Sequence, residues 1–101
     1  EQILLDPGFG VGKTLEHSLA LFAALPKLAA QKHPIVVGIS RKSLIGQLTN
    51  TEVNDRLVGS VTMAVLAAQK IYRAGGSMIL RVHDVKETKQ AMQIWQATKQ
   101  L

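Results

Sequence analysis

The chain has 101 residues, 47% apolar and 19% charged, which suits one modest folded domain and excludes a disordered tail. Aromatics are only 4%, so the core is expected to be aliphatic, and the absence of cysteine excludes a disulfide framework, a thiolate zinc site and a cysteine nucleophile. The net charge of +5 is scattered, with no basic run among stacking aromatics, which predicts solvated helix faces, at most a local anion site, and no nucleic-acid surface.

No basic-then-apolar leader and no apolar run of membrane-spanning length is present, so the expectation is a cytoplasmic chain with no membrane contact. The sequence enters an apolar run almost at once without an initiator Met, which predicts a piece of something longer.

Ile3-Leu4-Leu5 ends in Asp6. Pro7 and the alternate glycines Gly8, Gly10 and Gly12 then lead to Lys13. This reads as a buried strand that delivers a carboxylate to its end, followed by a bare loop turning into a helix. Ligand sites of α/β proteins sit at such turns. A P-loop would need glycine where Pro7 stands, and proline lacks the N–H that a phosphate nest uses. The dinucleotide fingerprint fails as well, because Lys13 occupies its third glycine position. Asp6 would repel phosphate and suits a ring bearing N–H donors. The bland alternative is a tight turn with a helix-capping Asp.

Thr14 is a possible N-cap for a helix whose face is Leu15, Leu19, Phe22 and Leu25, with a kink or fresh start at Pro26. A second strand covers residues 35–39, behind the helix-stopping His33-Pro34. Gly38 and Ser40 share a face there. Gly38 lets a flat ligand approach the backbone, and Ser40 to Ser43 lies at the start of a short helix whose free N–H groups, with Arg41 and Lys42, favour an anion. Alternatively Ser40 is simply an N-cap and the two bases are solvent-exposed. That short helix spans residues 41–48, with Leu44, Ile45 and Leu48 in one stripe. Thr49-Asn50-Thr51 is loop.

A longer helix covers residues 54–73, where Ala64, Ala67 and Ala68 permit close packing, and Gly75 is a natural C′ residue. The third strand, residues 78–82, places Arg81 and His83 on one side and Val82 on the other, a phosphate-like site beside the next helix. Asp84 with Glu87 reads as a capping box for that last helix, with Ala91, Ile94, Trp95 and Thr98 in register. His17 and His33 read as surface or helix-end residues and Trp95 as packing; no serine nucleophile elbow is present. The order is thus βα-βα-βα. Part of a (β/α)₈ barrel and a truncated doubly wound sheet both fit it.

Four stretches, residues 3–13, 37–46, 56–60 and 79–85, stand in the order and spacing of dihydropteroate synthases. Over essentially its whole length the chain resembles that family. The resemblance implies an α/β fold, with residues 1–101 forming the C-terminal portion of a (β/α)₈ TIM barrel, three parallel strands alternating with helices. It implies a transferase of folate biosynthesis that joins 6-hydroxymethyl-7,8-dihydropterin pyrophosphate to 4-aminobenzoate, releases pyrophosphate with Mg²⁺ assistance, and is inhibited by sulfonamides.

Carried across by that resemblance, Asp6 takes the pterin ring N–H and amino groups, Gly38 lines the pterin pocket, and Lys42 hydrogen-bonds the ring. Arg81 stacks on the pterin and, with His83, binds pyrophosphate; Lys42, Arg81 and His83 form the catalytic set. Phe9, Gly10, Val11, Lys13, Ser40 and Arg41 border or hold the aminobenzoate. Val11 departs from the second aromatic that many members carry. No metal ligand is expected in this segment, because Mg²⁺ would be held elsewhere in the barrel. A homodimer through the helices is implied, and the chain alone is expected to be inactive. The alternatives are a pterin-binding methyltransferase domain, which leaves Arg81 and His83 unexplained, a P-loop-type nucleotide binder, and a non-catalytic dimerising fragment.

Overall fold

Thr14 opens the first helix from an extended backbone (φ −73°, ψ 167°), its hydroxyl accepting the His17 amide at 3.2 Å. The computed structural model describes residues 7–8, 14–31 and 33–99. The expected strand at residues 3–5, and with it Asp6, Phe9, Gly10, Val11 and Lys13, lies outside the described residues. Helix α1 covers Leu15–Ala23, and α2 (Leu25–Ala29) restarts after Ala24 with Pro26 in its first turn, where a missing N–H is harmless. The proline break is therefore a fresh start.

Strands β1 (Ile35–Val37) and β2 (Met78–Leu80) pair in parallel, with Ile35 opposite Met78 and Val37 opposite Leu80. Backbone bonds extend the ladder at both ends, from Ile35 N to Ser77 O and from Arg81 N to Val37 O, each 3.0 Å. Between the strands run α3 (Ser43–Thr49), a 3₁₀ turn (Val53–Asp55) and α4 (Leu57–Arg73); α5 (Val85–Thr98) follows β2. This crossover joins parallel neighbours through helices, as strands of that orientation require.

The core is aliphatic. Ile35, Val37 and Ile39 pack with Leu25, Ala29, Leu44, Ile45, Ala67 and Ile71. Ala64, Ala67 and Ala68 are all buried, as close approach of α4 demands. Gly75 ends α4 at φ +79°, its amide donating to Tyr72 O and the Gly76 amide to Ile71 O, both 2.9 Å, which is a complete Schellman cap. Gly76 is needed for space: a Cβ there would lie 2.6 Å from the Ala29 Cβ.

Several inward stripes differ from the expected ones. In α1 Ser18 is buried and Leu19 is 39% exposed, so the inward stripe runs through Ser18, Phe22 and Leu25. Leu48 is half-exposed at the end of α3. In α5 Ile94 is 69% exposed while Thr88 is buried and Met92 and Trp95 are partly so. Trp95 sets that rotation, donating to Gln69 Oε1 at 2.7 Å and meeting Tyr72 edge-on at 5.7 Å. The expected start of α4 near residue 54 is interrupted at Arg56 (φ −106°, ψ 17°).

Candidate active site at the strand ends

Side chains alternate across a strand, so Ile35, Val37 and Ile39, which face the helices, leave Gly38 and Ser40 on the other side. Arg81 and His83 continue β2 in the same sense. The structure brings Gly38, Ser40, Lys42, Arg81, Val82 and His83 together around one cleft of about 300 Å³. Arg81 lies against the bare face of Gly38, since a Cβ at that glycine would stand 3.1 Å from Nη2 and 3.3 Å from Nε. A larger groove of about 390 Å³ between α3 and α4 is lined chiefly by apolar side chains, among them Ile45, Leu48, Val58 and Met63.

Ser40 is 8% exposed, and its Oγ accepts the His83 amide at 3.1 Å and lies 3.0 Å from His83 Nδ1. A hydroxyl can accept one bond while donating another, so this single atom serves both groups. It is not the N-cap of α3. That position is Lys42, whose side chain makes no cap bond. Ser40 instead clasps the end of β1 to the end of β2.

Arg41 has φ +58°, left-handed and uncommon for a residue with a Cβ. Its amide donates to Ser60 Oγ at 2.8 Å and its carbonyl accepts from Arg56 Nη1 at 3.0 Å. Its guanidinium forms a two-pronged pair with Asp84, Nε to Oδ2 at 3.2 Å and Nη2 to Oδ1 at 2.6 Å. The bond to Arg41 holds the Asp84 carboxyl below its ordinary range, and the same bond raises Arg41. The expected capping box therefore does not form. Asp84 starts α5 with its carbonyl, accepting the Thr88 amide at 3.0 Å, while its carboxylate is taken by the arginine.

Arg56 and Ser60 were given no chemical role by sequence reasoning, although both stand in one of the four stretches that carry the resemblance. Their spacing of four on a helix start was the available signal. His17 is exposed in the first turn of α1, and His33 stands just before β1. Among the described residues no group of three or more His, Cys, Asp or Glu could hold a metal ion, and no helix is long and apolar enough to cross a membrane.

A family model described as pterin binding enzyme matches residues 1–83, which includes both sides of the cleft. The chain belongs to the pterin-binding enzyme family. The dihydropteroate synthase of Escherichia coli strain K12 is 50% identical over 98 residues, which take in 97% of this chain and 33% of that protein. The crystal structure of Yersinia pestis dihydropteroate synthase matches with a TM-score of 0.86 at 50% identity, covering 97% of this chain and 44% of the other. The Thermus thermophilus enzyme in complex with 4-aminobenzoate gives 0.86 at 44% identity, over 96% of this chain and 36% of the other. The chain thus spans about a third of the length of the curated relatives it matches. The resemblance read from the four stretches is borne out, and with it the α/β class and the partial (β/α)₈ barrel.

Proposed function

We propose that this pterin-binding family chain supplies part of the active site of a dihydropteroate synthase, which condenses 6-hydroxymethyl-7,8-dihydropterin pyrophosphate with 4-aminobenzoate to 7,8-dihydropteroate and pyrophosphate. The observation that carries the proposal is the cleft itself. A glycine-opened face, a lysine, an arginine and a histidine converge at the carboxyl ends of two adjacent parallel strands. Related proteins support the choice of ligands. The Thermus thermophilus enzyme has been solved with 4-aminobenzoate and with 6HMPPP, and the Yersinia pestis enzyme with a sulfonamide drug.

In this reading the pterin ring stacks on the open side of the Arg81 guanidinium, with Gly38 lining the pocket, Lys42 hydrogen-bonded to the ring and Asp6 to its N–H groups. Arg81 and His83 take the pyrophosphate. As the bond from the pterin methylene to pyrophosphate oxygen breaks, negative charge grows on the leaving group, and the preorganised Arg81 guanidinium and His83 ring N–H there lower the barrier. The aminobenzoate nitrogen forms the new bond to that methylene and then loses a proton. No enzyme nucleophile is required. Ser40 and Arg41, with Phe9, Gly10, Val11 and Lys13, border the aminobenzoate. Mg²⁺ takes oxygen ligands, chiefly carboxylates. The described cleft lining contains none, and Asp84 is engaged by Arg41, so these residues do not fit the ion.

The test combines binding and turnover. The chain is expected to bind pyrophosphate and 6-hydroxymethylpterin, to lose pyrophosphate on Arg81→Ala, and to show no steady turnover by itself. Pterin binding indifferent to pyrophosphate would favour the methyltransferase reading, and binding of neither would overturn the proposal. The homodimer belongs to the same reading. Leu48 and Val58, 50% and 77% exposed beside the apolar groove of α3 and α4, give a second copy a surface to cover. Sedimentation of a dimer that Val58→Lys dissociates would support it, and a well-folded monomer would count against it.

A further inference from the structure

The turn from β1 into α3 is held in a backbone shape that an arginine disfavours. At φ +58° a residue with a Cβ is at a disadvantage of roughly 5- to 30-fold in an equilibrium constant. Such a conformation persists only where its surroundings over-determine it. Here the Arg41 amide is bound by Ser60 Oγ and its carbonyl by Arg56 Nη1. Arg56 is itself fixed, with Nη2 and Nε donating to Thr51 O at 3.2 and 3.4 Å. Its guanidinium lies over Gly46, where a Cβ would stand 2.6 Å from Cζ. Arg56 does not line the cleft.

We propose that Arg56 is a positioning residue of the site: by holding the Arg41 carbonyl it maintains the left-handed turn that sets Ser40 and Lys42, on either side of it, into the cleft. The planar guanidinium fork suits this task, because it serves carbonyls on two separate segments at once, with the geometry fixed. Gly46 is required for the same reason. It admits the fork against α3.

The binding arm of the test rests on the functional reading above; the conformational arm does not. Binding of 6-hydroxymethylpterin, read by its own fluorescence, is expected to weaken about tenfold in Arg56→Ala. In an Arg41→Gly background the same change should alter binding by less than about threefold, because glycine takes positive φ without strain. Gly46→Ala keeps Arg56 and favours the helix, yet displaces the guanidinium, so it should match the loss in Arg56→Ala. Emission from Trp95, the chain's single tryptophan, at the α4–α5 contact confirms that the fold is retained. If Arg56→Ala does not fold, Gly46→Ala decides.

By NMR, the strong amide-to-α cross-peak within Arg41, a mark of the left-handed conformation, should fade in Arg56→Ala. Equal losses in both backgrounds, or a persistent cross-peak in Arg56→Ala, would overturn the proposal. Failure of the unmutated chain to bind pterin would overturn the functional reading instead, leaving the cross-peak to decide the role of Arg56.

Discussion

Replacing Gly38 by alanine should injure the site while sparing the fold. The added Cβ would lie 3.1 Å from Arg81 Nη2, 3.3 Å from Nε and 3.5 Å from Cζ. Unstrained carbon contacts of this kind sit near 3.5 to 4.0 Å, so the guanidinium must retreat by roughly half an ångström. Every one of the three nearest atoms belongs to the far end of a flexible, exposed side chain, and Gly38 does not have a positive φ. The fold therefore has little to resist. The methyl also restricts the unfolded chain, so stability should hold or rise by about 0.5 kcal/mol.

The ligand is affected differently. A displacement near 1 Å from a productive geometry can reduce rate by about a hundredfold, so half of that distance corresponds to about tenfold. Calorimetric titration of the variant with pyrophosphate and with 6-hydroxymethylpterin should show that weakening for both, since Arg81 is assigned to both. Circular dichroism should show an unchanged or slightly higher thermal midpoint. A fall in the midpoint would refute the packing argument, because it would mean the methyl meets backbone. Undiminished affinity despite a shifted Arg81 Nε resonance would refute the placement of Arg81 against the ligand.

The Arg41–Asp84 pair predicts a pH dependence. The folded carboxyl is depressed, so its stabilising contribution is present above the unfolded value of about 3.9 and is lost as pH falls through the folded value. Thermal midpoints between about pH 5 and pH 2 should therefore drop more steeply for the native chain than for Asp84→Asn, and parallel curves would sink this attribution. The adjacent glycines at the end of α4 should separate by mechanism. Gly76→Ala should destabilise by about 1 to 3 kcal/mol through its clash with Ala29 and be partly rescued by Ala29→Gly. Gly75→Ala, with nothing within 4 Å of its Cβ, should lose about 1 kcal/mol to its positive φ and gain no rescue from the same partner. Urea denaturation followed by Trp95 emission distinguishes them, and rescue of Gly75→Ala by Ala29→Gly would contradict the assignment.

Strand and helix order was legible because local chemistry dominated it. The Thr14 cap, the Pro26 restart and the Gly75 stop each act through neighbours within one turn. Gly38, Ser40, Lys42, Arg81 and His83 were also legible as a group, since the two-residue period fixes which side chains share a face at a strand end. Contacts between distant segments were not legible. Asp84 followed by Glu87 satisfies every local requirement of a capping box, yet a two-pronged arginine 43 residues away outcompetes backbone amides for its carboxylate. The expected face of α5 failed for a similar reason, because the Trp95 contacts to Gln69 and Tyr72 determine the rotation. The role of Arg56 depends on the left-handed turn at Arg41, and nothing in the Ser40-Arg41-Lys42 sequence favours that conformation.

The same separation recurs on both sides of the cleft and explains how two three-residue strands can aim a site. Ile35 pairs with Met78, an offset of 43, and Val37 with Leu80 keeps it. Past the bond from Arg81 N to Val37 O, Ser40 still meets His83 and Arg41 still meets Asp84, each across 43 residues. Side chains thus continue the sheet register where backbone pairing has stopped. Register is a binary matter for a strand, since a slip of one residue turns every side chain to the opposite face. A slip here would set Val82 or Asp84 opposite Ser40, and Arg81 would leave Gly38. The serine and arginine clasps therefore do more than decorate the loop ends: they extend the register from Val37 to the residues that would touch a ligand. The conformation of Arg41 belongs to that arrangement. A glycine would make the turn with less strain, but only a side chain at this position can reach Asp84 and complete the second clasp.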